Sequence, residues 1–523
     1  MKYVFPVSMM LVLCERNLKV GSMEKKSLYQ YLNEYGQSDH AAFHMPGHKR
    51  QRRMLDSNGQ PMELPWQLDI TEIDGFDNLH HAEGILKESM DLAASFYGSE
   101  RTLYSINGST AGILSAIFAV TKPGDTILMA RNCHKSVYHG VFLRELVPLY
   151  VYPQIDQDTG IACGYSPEDI KEMLISHPEI RAVVITSPTY EGVISDIAAI
   201  ADIVHGYQIP LVVDEAHGAH LTMKSSKCVE FPESATMLGA DLVIQSLHKT
   251  LPALTQTAVL HVCTTWLQRA AMYAKEAARY MSMFQTSSPS YLLMASIDGG
   301  IRYLMSEEGQ KDQENYYDRL IDLRKKLKAY QHVHLLSPDM KGKKLDPSKI
   351  LLQADGMSGK VIYDYLRLEH HLQPEMCTDS YVLLMTSVFD TEEMYQRLVQ
   401  ACDQLENKIQ STCDRKEQIR DGFDHETSIE NTQALYRIPR PHQELTPSQA
   451  MWMPTEEISI KESVGRISAE YAYQYPPGIP LLVPGERIEE DILQRLMDQA
   501  QMGLQIQGLD SMDGSSIRVI LEN

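Results

Sequence analysis

Short, nearly continuous runs of apolar residues alternate with helical patterns through the centre of the chain, from about residue 68 to residue 306. Such runs are typical of parallel strands covered on both faces, because both sides of each strand are then buried. Helical patterns such as 111–120 and 197–205 separate the runs, so the pattern predicts an α/β fold with a mainly parallel sheet. The strands are predicted at residues 102–106, 125–130, 149–152, 182–186, 210–213 and 240–245.

The pattern changes after the central region. Residues beyond 307 are more polar, and the basic runs 324–328 and 341–344 predict solvated surface around a connection. Residues 351–390 predict a smaller α+β unit whose clearest strand is 381–386, and the charged stretch 408–432 predicts a helix end with an exposed linker. Four prolines between residues 475 and 486 exclude a helix there and predict a rigid extended loop.

Composition narrows the class of protein. A chain of 523 residues is long enough for several domains, and its formal net charge of −21 argues against a surface that binds nucleic acid. The eight cysteines are scattered with no Cys-x-x-Cys pair, which favours a reducing compartment over a disulfide framework. We therefore expect a cytoplasmic enzyme that does not bind a membrane.

The first residues superficially resemble a signal peptide. No small-residue cleavage site follows their apolar stretch, and the residues before Cys14 are not the small ones that precede a lipidated cysteine. We therefore expect residues 1–22 to be a non-native upstream extension, with Met23 as the natural start. No other apolar run reaches the roughly 20 residues of a membrane span.

A lysine and an aspartate lie at the ends of two predicted strands. Lys249 follows the run 240–245, and Asp214 follows the run 209–213. This pair suits an imine between the lysine and pyridoxal phosphate, with the carboxylate holding the ring nitrogen protonated so that the ring becomes an electron sink. Alone, Lys249 could be a solvated loop residue and Asp214 a helix cap, but their joint placement favours the cofactor site.

Two other interpretations of the segment after Asp214 are weaker. Asp214-Glu215-Ala216-His217 spells a helicase box, but the chain has no phosphate loop of the form G-x-x-x-x-G-K-[ST]. His217 and His220 match no strong metal-binding spacing, so no metal site is expected.

Two more strand ends carry candidate cofactor residues. Ser109 and Thr110 open a helical pattern, where backbone N–H groups and two hydroxyls would form a site for the cofactor phosphate. Capping of the helix by either hydroxyl is a compatible alternative. His134 follows another strand end, placed to lie on the cofactor ring, although a buried core histidine is the usual alternative.

Seven strings, taken together, make the chain similar to the Orn/Lys/Arg decarboxylase family, pyridoxal-phosphate enzymes of the aspartate-aminotransferase fold (fold type I). They occur in the family's order from about residue 28 onward. The strings are FHMPGHK (43–49), TEIDGFDNLH (71–80), RNCHKS (131–136), SPTYEG (187–192), DEAH (214–217), SLHK (246–249) and PPGIPLLVPGE (476–486).

The resemblance implies a role for each matching residue. Lys249 would form the Schiff base, Asp214 would bind the pyridine nitrogen, and His134 would stack on the ring. Ser287 and its neighbour Thr286 match a loop that reaches the phosphate of a partner subunit in similar enzymes, which implies a homodimer with the active site at its interface. The remaining cofactor contacts would come from Ser109, Thr110, His217, Ser246 and His248.

The resemblance also implies a domain division and an activity. The chain has no room for the N-terminal wing domain of the long-form enzymes and resembles the short form. We expect an N-terminal segment (23–67), a cofactor-binding large domain (68–306), a connection with a small α+β domain and linker (307–432) and a C-terminal decarboxylase domain (433–523).

The implied activity is decarboxylation of lysine, arginine or ornithine to cadaverine, agmatine or putrescine, in polyamine biosynthesis. An aminotransferase or other lyase remains the alternative with the same cofactor, and a regulatory protein with an inactive cofactor fold is the alternative without one. The sequence does not choose among the three amino acids. Glu486, Glu470 and Asp77 are candidates to read the far end of the substrate, although each could equally be an ordinary surface acid.

Overall fold

The structure is a computed structural model, and it describes residues 26–51, 54–223, 231–263, 269–337, 344–417, 440–475, 478–501, 505–511 and 514–522. The proposed upstream extension 1–22, Met23, Pro476 and Pro477 lie outside these residues, as does most of the predicted linker.

The helices are numbered in chain order. They are α1 (Leu28–Gln37), α2 (Ile85–Tyr97), α3 (Gly108–Val120), α4 (Lys135–Leu143), α5 (Pro167–Ser176), α6 (Ile197–Gly206), α7 (Leu247–Thr250), α8 (Ala270–Phe284), α9 (Tyr291–Met305), α10 (Glu307–Leu327), α11 (Gly359–Asp364), α12 (Glu392–Glu417), α13 (Pro447–Met451) and α14 (Glu490–Gln501).

The strands are also numbered in chain order. They are β1 (Arg101–Ser105), β2 (Thr126–Ala130), β3 (Val147–Val151), β4 (Ile180–Thr186), β5 (Val193–Ile194), β6 (Leu211–Asp214), β7 (Leu242–Ser246), β8 (Ala258–Val262), β9 (Val333–Leu335), β10 (Lys344–Leu345), β11 (Lys349–Ala354), β12 (Met376–Cys377), β13 (Val382–Met385), β14 (Thr455–Ser459), β15 (Ala472–Tyr475), β16 (Ile479–Leu482), β17 (Gln505–Gln507) and β18 (Ser516–Ile520).

The central sheet has seven strands in the order β1-β8-β7-β6-β4-β2-β3. The pairs among β7, β6, β4, β2 and β3 are parallel, whereas β8 runs antiparallel to both of its neighbours. The strands predicted from continuous apolar runs are all present, with ends shifted by up to two residues. They are buried almost throughout, which confirms the mainly parallel α/β fold.

A smaller antiparallel sheet, β12-β13-β11-β9, follows the large unit, and the pairing of β10 with β5 joins the two parts of the chain. Within the predicted connection, residues Glu307–Leu327 form the long helix α10. The lysines at 325, 326 and 328 are exposed, as predicted for a solvated surface, whereas Leu320, Leu323 and Leu327 recur on one face and are buried against the core.

The last part of the chain forms two further sheets, β14-β18 and β16-β15-β17. The prediction of an extended loop over 475–486 is wrong at residues 479–482, which form β16. Pro480 is tolerated there because β16 lies at the edge of its sheet, where a missing N–H breaks no ladder. Among the described residues, no helix is long and apolar enough to cross a membrane.

Candidate active site

The candidate site lies at the carboxyl ends of β6 and β7, where α/β sheets collect their ligands. Asp214 is the last residue of β6, and Ser246 is the last residue of its parallel neighbour β7. Lys249 follows three residues later in the short helix α7. The two predicted residues of the cofactor pair are therefore brought to one edge of the sheet.

Asp214 and Lys249 act on each other electrostatically. Burial raises the pKa of Asp214, while the charge of Lys249 and the N–H of Ala216 oppose that shift. Burial lowers the pKa of Lys249, and the carboxylates of Asp214 and Glu375 oppose it. A helix-capping role for Asp214 is not observed: it accepts the N–H of Ala216, but the next helical turn begins only at Ala219.

His134 occupies the N-cap position of α4, just beyond the carboxyl end of β2. Its Nδ1 accepts hydrogen bonds from the Ser136 N–H (3.2 Å) and the Ser136 hydroxyl (2.8 Å). Burial, with the nearby charge of Lys249, lowers the pKa of His134 to about 3. The ring is therefore neutral, with its proton on Nε2, and it lies within electrostatic reach of the candidate lysine.

Three of the predicted phosphate contacts lie on α3 and at the end of β7. Ser109 and Thr110 lie in the first turn of α3, and neither is its N-cap. That position belongs to Asn107, which makes no side-chain cap hydrogen bond, so the capping alternative is not observed. Ser246 is fully buried and its hydroxyl has no hydrogen-bond partner in the described structure.

His248 is constrained in its tautomer. Its Nδ1 lies 2.8 Å from the carbonyl oxygen of Thr257, which can only accept, so Nδ1 carries a proton. A neutral His248 would then present an unprotonated Nε2, and donation to a phosphate requires the imidazolium. Burial lowers the pKa of His248, which opposes that charge.

The loop with Thr286 and Ser287 is exposed and lies beside α3 of its own chain. The Thr286 N–H donates to Asn107 Oδ1 (3.4 Å), and the Thr286 carbonyl accepts from His80 Nε2 (2.9 Å).

His217 lies between two lysines. Its Nε2 is 3.0 Å from Lys249 Nζ, and its Nδ1 is 3.0 Å from Nζ of Lys349, a residue that the sequence analysis missed. His220 instead contacts Asp346 at 3.0 Å. Among the described residues, no group of three or more histidine, cysteine or acidic side chains could hold a metal.

Two acidic residues near this lysine pair also escaped the sequence analysis. Glu375 accepts a hydrogen bond from Tyr190 (2.6 Å), and Glu191 accepts one from Tyr381 (3.1 Å). The string SPTYEG was a signal for Tyr190 and Glu191. Nothing local marked Lys349 or Glu375, because their role depends on how the small sheet packs against the large one.

The three acids proposed to read the far end of the substrate have other partners. Asp77 accepts backbone N–H groups at the start of α2, including those of Gly84 (2.8 Å) and Leu86 (3.1 Å). Glu470 is buried against Arg518, and Glu486 is buried against Arg131. The structure records no contact of these three acids with Lys249, and the two glutamates are not surface residues either.

The fold and the placement of the lysine and aspartate define an α/β protein of the aspartate-aminotransferase-like, fold type I class. Residues 26–394 match the family model for the Orn/Lys/Arg decarboxylase major domain, and residues 429–511 match that for the Orn/Lys/Arg decarboxylase C-terminal domain. The chain therefore belongs to the Orn/Lys/Arg decarboxylase family, which confirms the resemblance found in the sequence.

Individual relatives agree with this assignment. The chain is 31% identical over 510 residues to the arginine decarboxylase of Bacillus subtilis (strain 168), covering 96% of this chain and 99% of that protein. It is 24% identical to the ornithine decarboxylase of Haemophilus influenzae, over 88% of this chain and 78% of that one. The lysine decarboxylase LdcF of Francisella novicida has the same fold, with a TM-score of 0.77, 22% identity and coverage of 95% and 81%.

Proposed function

We propose that the protein is a pyridoxal-phosphate-dependent carboxy-lyase that converts lysine, arginine or ornithine into the corresponding amine and CO2. The observation that carries the proposal is the electrostatic pair of Asp214, at the end of β6, and Lys249, just beyond the end of the adjacent strand β7, in a chain of the Orn/Lys/Arg decarboxylase family. A cytoplasmic role in supplying polyamines is part of this proposal.

The residues present fit the cofactor. The buried Ser246 hydroxyl without a partner, the first turn of α3 and the hydroxyls of Ser109 and Thr110 supply donors for a phosphate. A lysine amine and a buried carboxylate supply the two other groups that the cofactor needs. When bound, pyridoxal phosphate supplies an electron sink for the electron pair that remains as CO2 leaves.

The chain's own residues then have distinct tasks. Lys249 would offer the amine that holds the cofactor and would exchange protons with the substrate carbon. Asp214 is buried, so its carboxylate would hold the proton of the ring nitrogen in a setting of low dielectric constant, where that charge pair is strong. The neutral His134 would brace one face of the ring without adding a charge that opposes the protonated nitrogen.

A homodimer is the proposed assembly. Phe43 and Met45 in the FHMPGHK string are large apolar side chains, 95% and 63% exposed in the single chain, and a second subunit would cover such surface. We expect sedimentation equilibrium to give a mass of two chains, and a monomer at micromolar concentration would contradict this assembly.

The activity is tested by incubating purified protein and pyridoxal phosphate with lysine, arginine and ornithine separately. We expect CO2 and one equivalent of amine from at least one of them. Lys249→Ala should lose at least a thousandfold in rate, whereas Lys360→Ala, which removes an exposed lysine paired with Asp364, should keep it. Formation of a keto acid instead of CO2, or full activity in Lys249→Ala, would refute the proposal.

A further inference from the structure

The imidazole of His217 joins a lysine of the large unit to a lysine of the small one. Lys249 lies in α7 beside the central sheet, and Lys349 is the first residue of β11 in the small sheet. Both Nζ atoms are 3.0 Å from a ring nitrogen of His217, and Lys349 is only 1% exposed. A lysine buried to this extent is rare unless its ammonium is paired.

The backbone is shaped to admit Lys349. Gly192, at φ +96°, lies against the lysine stem, and a Cβ added there would come within 2.6 Å of Lys349 Cγ. Any larger residue at position 192 would therefore push the lysine away from His217. The SPTYEG string therefore needs a glycine at position 192 to leave room for the side chain of Lys349.

The hydrogen bonds fix where the protons lie. An ammonium group only donates, so a charged Lys349 requires His217 Nδ1 to accept. The proton of the neutral ring is then on Nε2, and this N–H can hydrogen-bond Lys249 only if the lysine presents a lone pair. We propose that Lys349 is a positioning residue that fixes the tautomer of His217 and thereby holds Lys249 as a free amine, ready to attack the cofactor aldehyde.

The surrounding charges support this arrangement of protons. Burial lowers the pKa of Lys349 only to about 8, because the nearby carboxylates of Asp346, Glu375 and Glu191 oppose the shift. It therefore remains mostly charged at pH 7.

Burial acts in the same direction on His217 and Lys249. Burial and both lysines lower the pKa of His217 well below its ordinary range, with His134 and His220 adding to the effect. Lys249 faces Asp214, Glu375, His217 and His134, and its pKa is lowered by burial.

The protonation state of Lys249 determines how fast the protein captures the cofactor, an inference that rests on the proposed function. In the condensation, the nitrogen lone pair of Lys249 forms the bond to the aldehyde carbon. The aldehyde oxygen leaves as water with the two protons of the neutral amine, so no oxidant or reductant is needed. Only the unprotonated amine has this lone pair, so the pH at which capture becomes fast reports the proton affinity of Lys249.

The experiment measures capture directly. Cofactor-free protein is mixed with pyridoxal phosphate between pH 6 and 10, and the rate is followed by absorbance. Lys349→Met should move the midpoint of the rate profile upward by about one pH unit, roughly a tenfold slower capture at pH 7, since one hydrogen bond and one opposing charge are lost. Lys349→Arg, which keeps the charge and the donors, and the surface control Lys360→Met should stay within about 0.3 unit of the unmodified protein.

Each outcome decides a different claim. An unmodified protein that never condenses with the aldehyde refutes the proposed function, whereas normal capture with an unchanged midpoint in Lys349→Met refutes only the role of Lys349. Competitive acetylation of Lys249 across the same pH range, read by mass spectrometry on the unmodified protein, is an independent test. It should show an amine that loses its proton well below the ordinary lysine range, and an ordinary titration would overturn the inference even if Lys349→Met does not fold.

Discussion

Replacing Glu486 with alanine is expected to loosen the attachment of the C-terminal part of the chain to the central sheet. Glu486 and Arg131 are both fully buried, with Nη2 and Oε2 3.2 Å apart. Arg131 also donates to the carbonyls of Pro480 (2.9 Å) and Leu481 (3.2 Å), so its guanidinium holds the chain around β16 in place. The substitution leaves that guanidinium buried with its charge uncompensated.

The magnitude follows from the burial. Removing one partner of a buried ion pair costs about 3–5 kcal/mol, because the remaining charge keeps its desolvation penalty. At about 1.4 kcal/mol per factor of ten, local opening should become at least a hundredfold more frequent. The double variant Arg131→Met/Glu486→Leu should recover most of the loss, since it removes both charges and keeps apolar volume.

Hydrogen exchange followed by mass spectrometry measures this opening in peptides that cover β15, β16 and the segment up to Arg487. The matched control is Glu444→Ala. It breaks a half-exposed ion pair between Glu444 and Arg487, the residue that follows Glu486, whose Oε1 and Nη2 atoms are 2.9 Å apart. That pair should be worth less than about 1 kcal/mol. Equal protection in Glu486→Ala and Glu444→Ala would refute the reasoning, and so would a double variant as unstable as the single one.

Three further outcomes are expected. Asp77→Ala should lower the free energy of unfolding by about 1 kcal/mol, because it removes the acceptor for the first N–H groups of α2, and Asp77→Asn should cost less; equal thermal midpoints would contradict this. Ser246→Ala should leave the stability of the cofactor-free protein nearly unchanged but raise the Kd for pyridoxal phosphate about tenfold, since its hydroxyl has no internal partner; a Kd equal to that of the unmodified protein would count against it. His134→Gln should lower the rate without moving any inflection of kcat/KM between pH 5 and 9, because burial keeps that ring neutral down to about pH 3; a displaced inflection would show that His134 titrates.

Much of the central sheet could be predicted because parallel strands buried on both faces leave an uninterrupted apolar run. Strand β8 was not predicted, since His261 interrupts its apolar run. In the structure that histidine is fully buried and contacts Thr102 (2.8 Å) and Gln245 (3.1 Å). A polar residue satisfied by distant partners cannot be recognised from its neighbours in sequence.

The candidate site, too, could be predicted only in part from the sequence. Lys249, Asp214 and His134 could be predicted, since each follows a strand end and the topology of a parallel sheet brings those ends together. Lys349 and Glu375 could not, because a lysine that opens a strand and a glutamate in a loop look like ordinary solvated residues. Their positions depend on the pairing of β10 with β5 and on the packing of a second sheet.

The ion pair of Arg131 and Glu486 sets an order of events during synthesis. Because 355 residues separate its members, the ribosome releases the arginine long before the glutamate has been made. A nascent chain can therefore form the strands around Lys249 while the buried guanidinium of Arg131 still lacks its counterion. Products that terminate before residue 486 would keep an unpaired buried charge, which favours local opening and therefore proteolysis of incomplete chains.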